Sequence, residues 1–142
     1  LLAEMVQSDK EPIHPIDPVI QFLRMSHTSN LPITIVTGSP PRFARAAATY
    51  VGVSNIVSSY PCAGDYKKGK PHPEPYQPFA VDGGMALEDS IGGTLSALAA
   101  RVPTIVSCIR DQGRQASLAE EYAKGGFGSN LLVLSSWDQL VV

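Results

Sequence analysis

Short apolar runs alternate along this chain with segments of helical period, and the runs break at glycine, serine, asparagine or proline. That alternation restricts the fold more than any other feature. The run "ITIV" (33–36) ends at Thr37-Gly38-Ser39, and "MAL" (85–87) ends at Glu88-Asp89-Ser90. "SNIVSSY", "PTIVSCI" and "NLLVLSS" are further short strands, bounded by turn residues. The segments between them read as helices. "DPVIQFLRMSH" carries Val19, Phe22, Leu23 and Met25 at near-helical spacing, with Asp17 as cap, Pro18 at the first helical position and Asn30 as stop. "PPRFARAAATYVG" opens at Ser39, places Phe43, Ala46, Ala47 and Tyr50 on one face, and stops at Gly52. "SIGGTLSALAARV" turns Ile91, Leu95 and Leu98 inward. "DQGRQASLAEEYAKGG" is a charged surface helix with a glycine stop, and "WDQLVV" is a closing turn. Strands alternating with helices require parallel pairing and an α/β layered fold. The strands lack polar alternation, which is the pattern of strands covered on both faces.

A chain of 142 residues suits one domain with a sizeable core. With 44% hydrophobic and 17% charged residues and a net charge of −2, the composition is that of a soluble globular protein. It offers no basic field for nucleic acid and no basic amphipathic segment for a membrane surface. No apolar run approaches the roughly 20 residues that span a bilayer. Cys62 and Cys108 lack metal or redox spacing and read as reduced thiols in a cytoplasmic protein. The opening "LLAEMVQSDKEP" (1–12) lacks the features of a signal peptide and reads as the tail of a helix followed by a linker.

In parallel sheets ligands bind beyond the carboxyl ends of the strands. Thr37-Gly38-Ser39 and Glu88-Asp89-Ser90 both fall there, on one rim. Two adjacent acids repel and must be solvated, hydrogen-bonded or paired with a cation. Glu88 and Asp89 suit Mg²⁺, which takes one or two carboxylates plus water and phosphate oxygens. Thr37 can donate its hydroxyl to a phosphate oxygen, and Gly38 lets backbone N–H groups approach. Lys70, in "KGKPHPEPY", supplies positive charge, and Pro71 disfavours helical dihedrals at Lys70. Each group also has a plainer role. Ser39 is a natural helix cap, Lys67, Lys68 and Lys70 form a run that suits a solvated surface, and Glu88-Asp89-Ser90 suits a helix N-terminus. His14, His27 and His72 have no partner spacing and read as surface or packing residues.

The order strand-Thr-Gly-Ser, "GKPHPEPY", strand-"LEDSIGG"-helix resembles motifs two, three and four of the haloacid dehalogenase (HAD) superfamily, in its phosphatase and phosphomutase branch. The resemblance implies a three-layer Rossmann-like parallel sheet over residues 13–142, preceded by the end of a cap helix or a linker over 1–12. It implies that Thr37 binds the transferred phosphoryl group, that Lys70 neutralises it, and that Asp89, with Glu88 beside it, holds Mg²⁺. Thr37, Lys70 and Asp89 would be catalytic, and Thr37, Gly38 and Lys70 would bind phosphate. The substrate would be a small phosphorylated metabolite. The family's Asp-x-Asp nucleophile motif is absent, since no two aspartates here stand two apart. Its strand would lie between 33–36 and 85–87, supplied by a missing N-terminal segment or a second chain. The sequence thus reads as the C-terminal part of a Mg²⁺-dependent phosphatase or phosphomutase. The alternative is a non-catalytic α/β binding or interaction module on the same scaffold. The stretch between Lys70 and Glu88 is short for this family, and Pro78 limits any helix in it.

Overall fold

A computed structural model describes residues 14–141, so the expected cap-helix tail at 1–12 lies outside the described residues. The described residues form two compact units, 14–65 with 140–141, and 66–139, within the span that the sequence reads as one core domain.

The first unit holds helices α1 (Asp17–Thr28) and α2 (Pro41–Tyr50). Both begin with proline in the first turn, where its missing N–H is no loss. α1 ends where Asn30 takes φ 60°, and α2 ends ahead of Gly52 at φ 75°. α2 buries Ala44 and Ala48, the row beside the expected one, whereas Phe43 and Ala47 are half-buried and Tyr50 is exposed. Small side chains let this row approach the core most closely. Pro40 stands at the N-cap of α2 with no side-chain cap, so Ser39 does not fill that role.

The strands expected at 33–36 and in "SNIVSSY" are reduced to a single parallel bridge, Thr34 with Ser59. Ser58 N–H donates to Ile33 O (2.7 Å), Ile35 N–H to Ser59 O (3.1 Å) and Thr37 N–H to Pro61 O (3.1 Å). The parallel pattern would next require residue 61 to donate to Ile35 O. Proline has no N–H, so the ladder cannot lengthen. The apolar content of the run is as read, but its partner truncates it.

The second unit contains the parallel sheet. Strands β1 (Met85–Glu88), β2 (Thr104–Ser107) and β3 (Asn130–Val133) pair in the order β1-β2-β3, with Glu88 opposite Ser107 and Ser107 opposite Val133. This is an α/β fold built on a parallel sheet. α3 (Ile91–Ala99) follows β1, and α4 (Gln112–Ala123) follows β2. β2 is central, and Ile105, Val106 and Ser107 are buried. Double coverage does not extend to β3, where Leu132 is 54% exposed. β1 is an edge strand among the described residues. α3 buries Leu98 as expected, but Ile91 and Leu95 are half-buried. Gly93, Thr94, Ser96 and Ala97 take the inner face, where small side chains fit and the two hydroxyls find partners. Thr94 Oγ1 bonds Ser90 O (2.8 Å) and Ser107 Oγ (3.0 Å), and Ser96 Oγ donates to His72 O. Between Lys70 and β1 the chain forms turns and one 3₁₀ turn at Gln77–Phe79, the irregular element that Pro78 requires. Among the described residues no helix is long and apolar enough to cross a membrane.

Candidate functional site

Five residues of the second unit converge where β1 meets α3. Glu88 ends β1 and is 5% exposed. Its Oε1 accepts from both the Lys70 ammonium and the Tyr76 hydroxyl. Ser90, the N-cap of α3, accepts from Gly93 N–H (3.1 Å) and places its own hydroxyl 3.5 Å from Glu88 Oε2. A Cβ on Gly93 would stand 1.8 Å from that same Oε2, so the carboxylate fills the space that a side chain would need. Gly93 is thus a glycine by close approach, not by backbone dihedral. Lys70 is 20% exposed, and its ammonium lies 5.0 Å from the Tyr76 ring centroid and 3.4 Å from the Tyr76 hydroxyl.

This geometry explains how one of the two adjacent acids can be buried. A buried carboxylate is tolerated when paired and hydrogen-bonded, and Glu88 is both. Asp89, one residue on, is exposed, so solvent meets that demand. The two acids therefore differ in burial and in partners. Glu88 fits the counter-ion of Lys70, with its Oε1 already carrying two donors. Asp89 fits one ligand of a hard cation that keeps several waters. Among the described residues, no three or more His, Cys, Asp or Glu side chains gather closely enough to hold a metal ion by themselves.

Thr37, in the first unit, is half-buried, and its Oγ1 accepts the Ser39 N–H at 3.1 Å, closing a small turn. It lines an apolar cavity of about 420 Å³ with Val19, Ile20 and Leu23 of α1 and Ala44 and Ala48 of α2. Gly38 is exposed, and a Cβ there would meet open space, so packing does not demand this glycine. The two thiols are poor nucleophiles. Cys62 is fully buried, and burial first, then Asp65, pushes its thiol up despite the opposing Arg45. Burial likewise pushes Cys108 up.

Tyr76 and Gly93 were not singled out from sequence. Both sit inside motifs that were, Tyr76 six residues after Lys70 in "KPHPEPY" and Gly93 in "EDSIGG". Only three-dimensional contact with Glu88 distinguishes them.

Tyr76 also gives a pH signature. Its burial, followed by the Glu88 charge and hydrogen bond, raises its phenol well above the ordinary tyrosine range. The raised group favours the protonated folded state. Its contribution is intact below pH ~10, where the unfolded phenol is neutral, and is lost as pH rises above that. Urea unfolding between pH 10 and 11 should show wild type losing about 1 kcal/mol more stability than Tyr76→Phe. Parallel curves for the two proteins would contradict the assignment.

No family model matches the chain, and no curated protein matches it.

Proposed function

We propose that this chain is the C-terminal part of a Mg²⁺-dependent, HAD-type cytoplasmic hydrolase acting on a small phosphate monoester, as a phosphatase or phosphomutase. Its aspartyl-phosphate would form on a nucleophile outside this sequence, on a strand that completes the sheet beside β1. The observation that carries the reading is the meeting of Lys70 with Glu88, 18 residues on, at the carboxyl end of β1 beside exposed Asp89. Parallel sheets hold ligands at that end. Phosphoryl transfer asks a protein chiefly for positioning and charge neutralisation. In this reading Lys70 neutralises the transferring group, and Glu88 keeps the ammonium in place. By motif order alone, Thr37 and Gly38 of the first unit are assigned to phosphate binding. Asp89, with Glu88 behind Lys70, would hold Mg²⁺, which when bound offsets phosphate charge. The free, buried thiols Cys62 and Cys108 support a reducing compartment.

One observation favours the alternative, a non-catalytic module that kept the scaffold. The Lys70–Glu88 pair is itself sufficient reason for both residues to be present.

Hydrolysis of p-nitrophenyl phosphate separates the two. The chain alone should show no turnover above background, since it lacks the nucleophile and its thiols are buried. A longer form bearing Asp-x-Asp upstream should turn over only with Mg²⁺. Lys70→Ala and Asp89→Ala should each slow it by about 10²–10³-fold, the usual cost of one transition-state charge partner. Activity that resists EDTA, or turnover by the chain alone that Asp89→Asn abolishes, would contradict the reading.

A further inference from the structure

Lysine is a flexible point charge on a four-carbon stem, and one ion-pair partner leaves it many rotamers. Lys70 is 20% exposed, so water competes for its ammonium at every opening of the pair. The structure surrounds that ammonium unusually well for a lysine at a rim. The Tyr76 hydroxyl donates to the same Glu88 oxygen, Oε1, that accepts from Lys70. The Tyr76 ring lies under the ammonium at 5.0 Å from its centroid, within cation–π range. Tyr76 is only 7% exposed. Its backbone N–H is tied to Pro73 O at 2.9 Å, behind the buried Pro75. Glu88 cannot retreat on the other side, because Gly93 bounds it there.

We propose that Tyr76 is a positioning residue for Lys70, its hydroxyl fixing Glu88 Oε1 and its ring bounding the ammonium, so that the Lys70 charge is presented at one place on the rim. An aromatic that served packing alone would be as well supplied by phenylalanine. The hydroxyl is buried, and it is spent on the oxygen that holds Lys70. Two donors on one carboxylate oxygen restrict each other, since moving either reorients the acceptor for both. Lys70 is one-fifth exposed, and that side is where an anionic oxygen group such as a phosphate monoester would approach. That use rests on the function proposed above, whereas the positioning itself does not.

The test is nitrogen-15 relaxation and water exchange of lysine ammonium groups in the full chain, without ligand, at fixed pH and low temperature. Lys70→Arg assigns the signal. In wild type the Lys70 ammonium should be more ordered and slower to exchange than those of Lys67 and Lys68, whose side chains are exposed. Tyr76→Phe keeps the ring and removes the hydroxyl, and should speed Lys70 exchange about fivefold or more with a fall in its order. Tyr76→Leu should speed it further, while Lys124, the C-cap of α4, stays unchanged in both. A wild-type Lys70 as mobile as Lys67 would overturn the proposal, as would a Tyr76→Phe chain whose Lys70 is unaltered. A Tyr76→Phe chain that loses its fold also counts against it, because positioning alone costs local order. Confirmed ordering of Lys70 in a chain that does not bind phosphate would retain this proposal and defeat the proposed function.

Discussion

Lys70→Met should lower the free energy of unfolding by about 3 kcal/mol, the low end for breaking a buried ion pair. The large effect does not come from the pair's net worth, which is modest. It comes from what is left behind: Glu88, 5% exposed, would retain a carboxylate with only neutral donors around it among the described residues. Lys70 is itself 20% exposed, so some water reaches the site and holds the cost near the lower limit. Glu88→Gln should cost less, about 1–2 kcal/mol, because the amide keeps a hydrogen-bonding oxygen and the lysine can turn to solvent. The double variant should cost clearly less than the two singles together, since neither charge is then stranded. Urea denaturation of the four proteins closes this cycle. Additive losses would mean that the two side chains do not meet.

Gly93→Ala should destabilise by about 2–4 kcal/mol, against the helix-propensity trend. In an exposed helix interior this change is favourable by about 1 kcal/mol. Here the new Cβ would meet Glu88 Oε2 at 1.8 Å, and the carboxylate must leave. A free glutamate would swing aside at little cost. This one is held by Lys70 and Tyr76, so displacement breaks a buried pair, at a cost of about 3–5 kcal/mol. The difference between the two effects gives the expected loss. Gly92 supplies the control, since a Cβ there meets nothing within 4 Å. Gly92→Ala should be neutral or stabilising by up to about 1 kcal/mol. Equal behaviour of the two alanine variants in thermal unfolding would contradict the packing of Glu88 on α3.

The parallel sheet was legible because its strands are short, apolar and punctuated. "MAL" and "TIV" contain nothing that a neighbouring strand could not accept, and "SIGG" offers a cap and small residues for the helix that follows. The run at 33–36 has the same character, yet only one bridge forms. The reason lies in its partner, where Pro61 removes a donor, and strand propensity carries no information about partners. Apart from Leu98, the apolar rows expected on α2 and α3 are not the most buried ones. Apolar periodicity locates large side chains, whereas these helices approach their neighbours through Ala44, Ala48, Gly93 and Thr94. The acidic pair was visible in sequence, but its division of labour was not. Which acid is buried follows from the strand's alternation and the contact with α3, and Tyr76 enters only once the turn at 71–76 is folded. Thr37 and Lys70 belong to units whose chemistry the sequence joins through a motif order, and that link is part of the proposal.

Lys70 and Asp89 are proposed to form the phosphate- and Mg²⁺-binding part of a phosphoryl-transfer site. Phosphorus-31 line broadening of inorganic phosphate, titrated with the full chain in the presence and absence of Mg²⁺, tests it most directly. The expected result is saturable broadening that strengthens with Mg²⁺, weakens about tenfold or more in Lys70→Ala as one charge partner is removed, and loses its Mg²⁺ dependence in Asp89→Asn. Wild-type chain that leaves the phosphate line unchanged, or broadening that both variants retain in full, would contradict it.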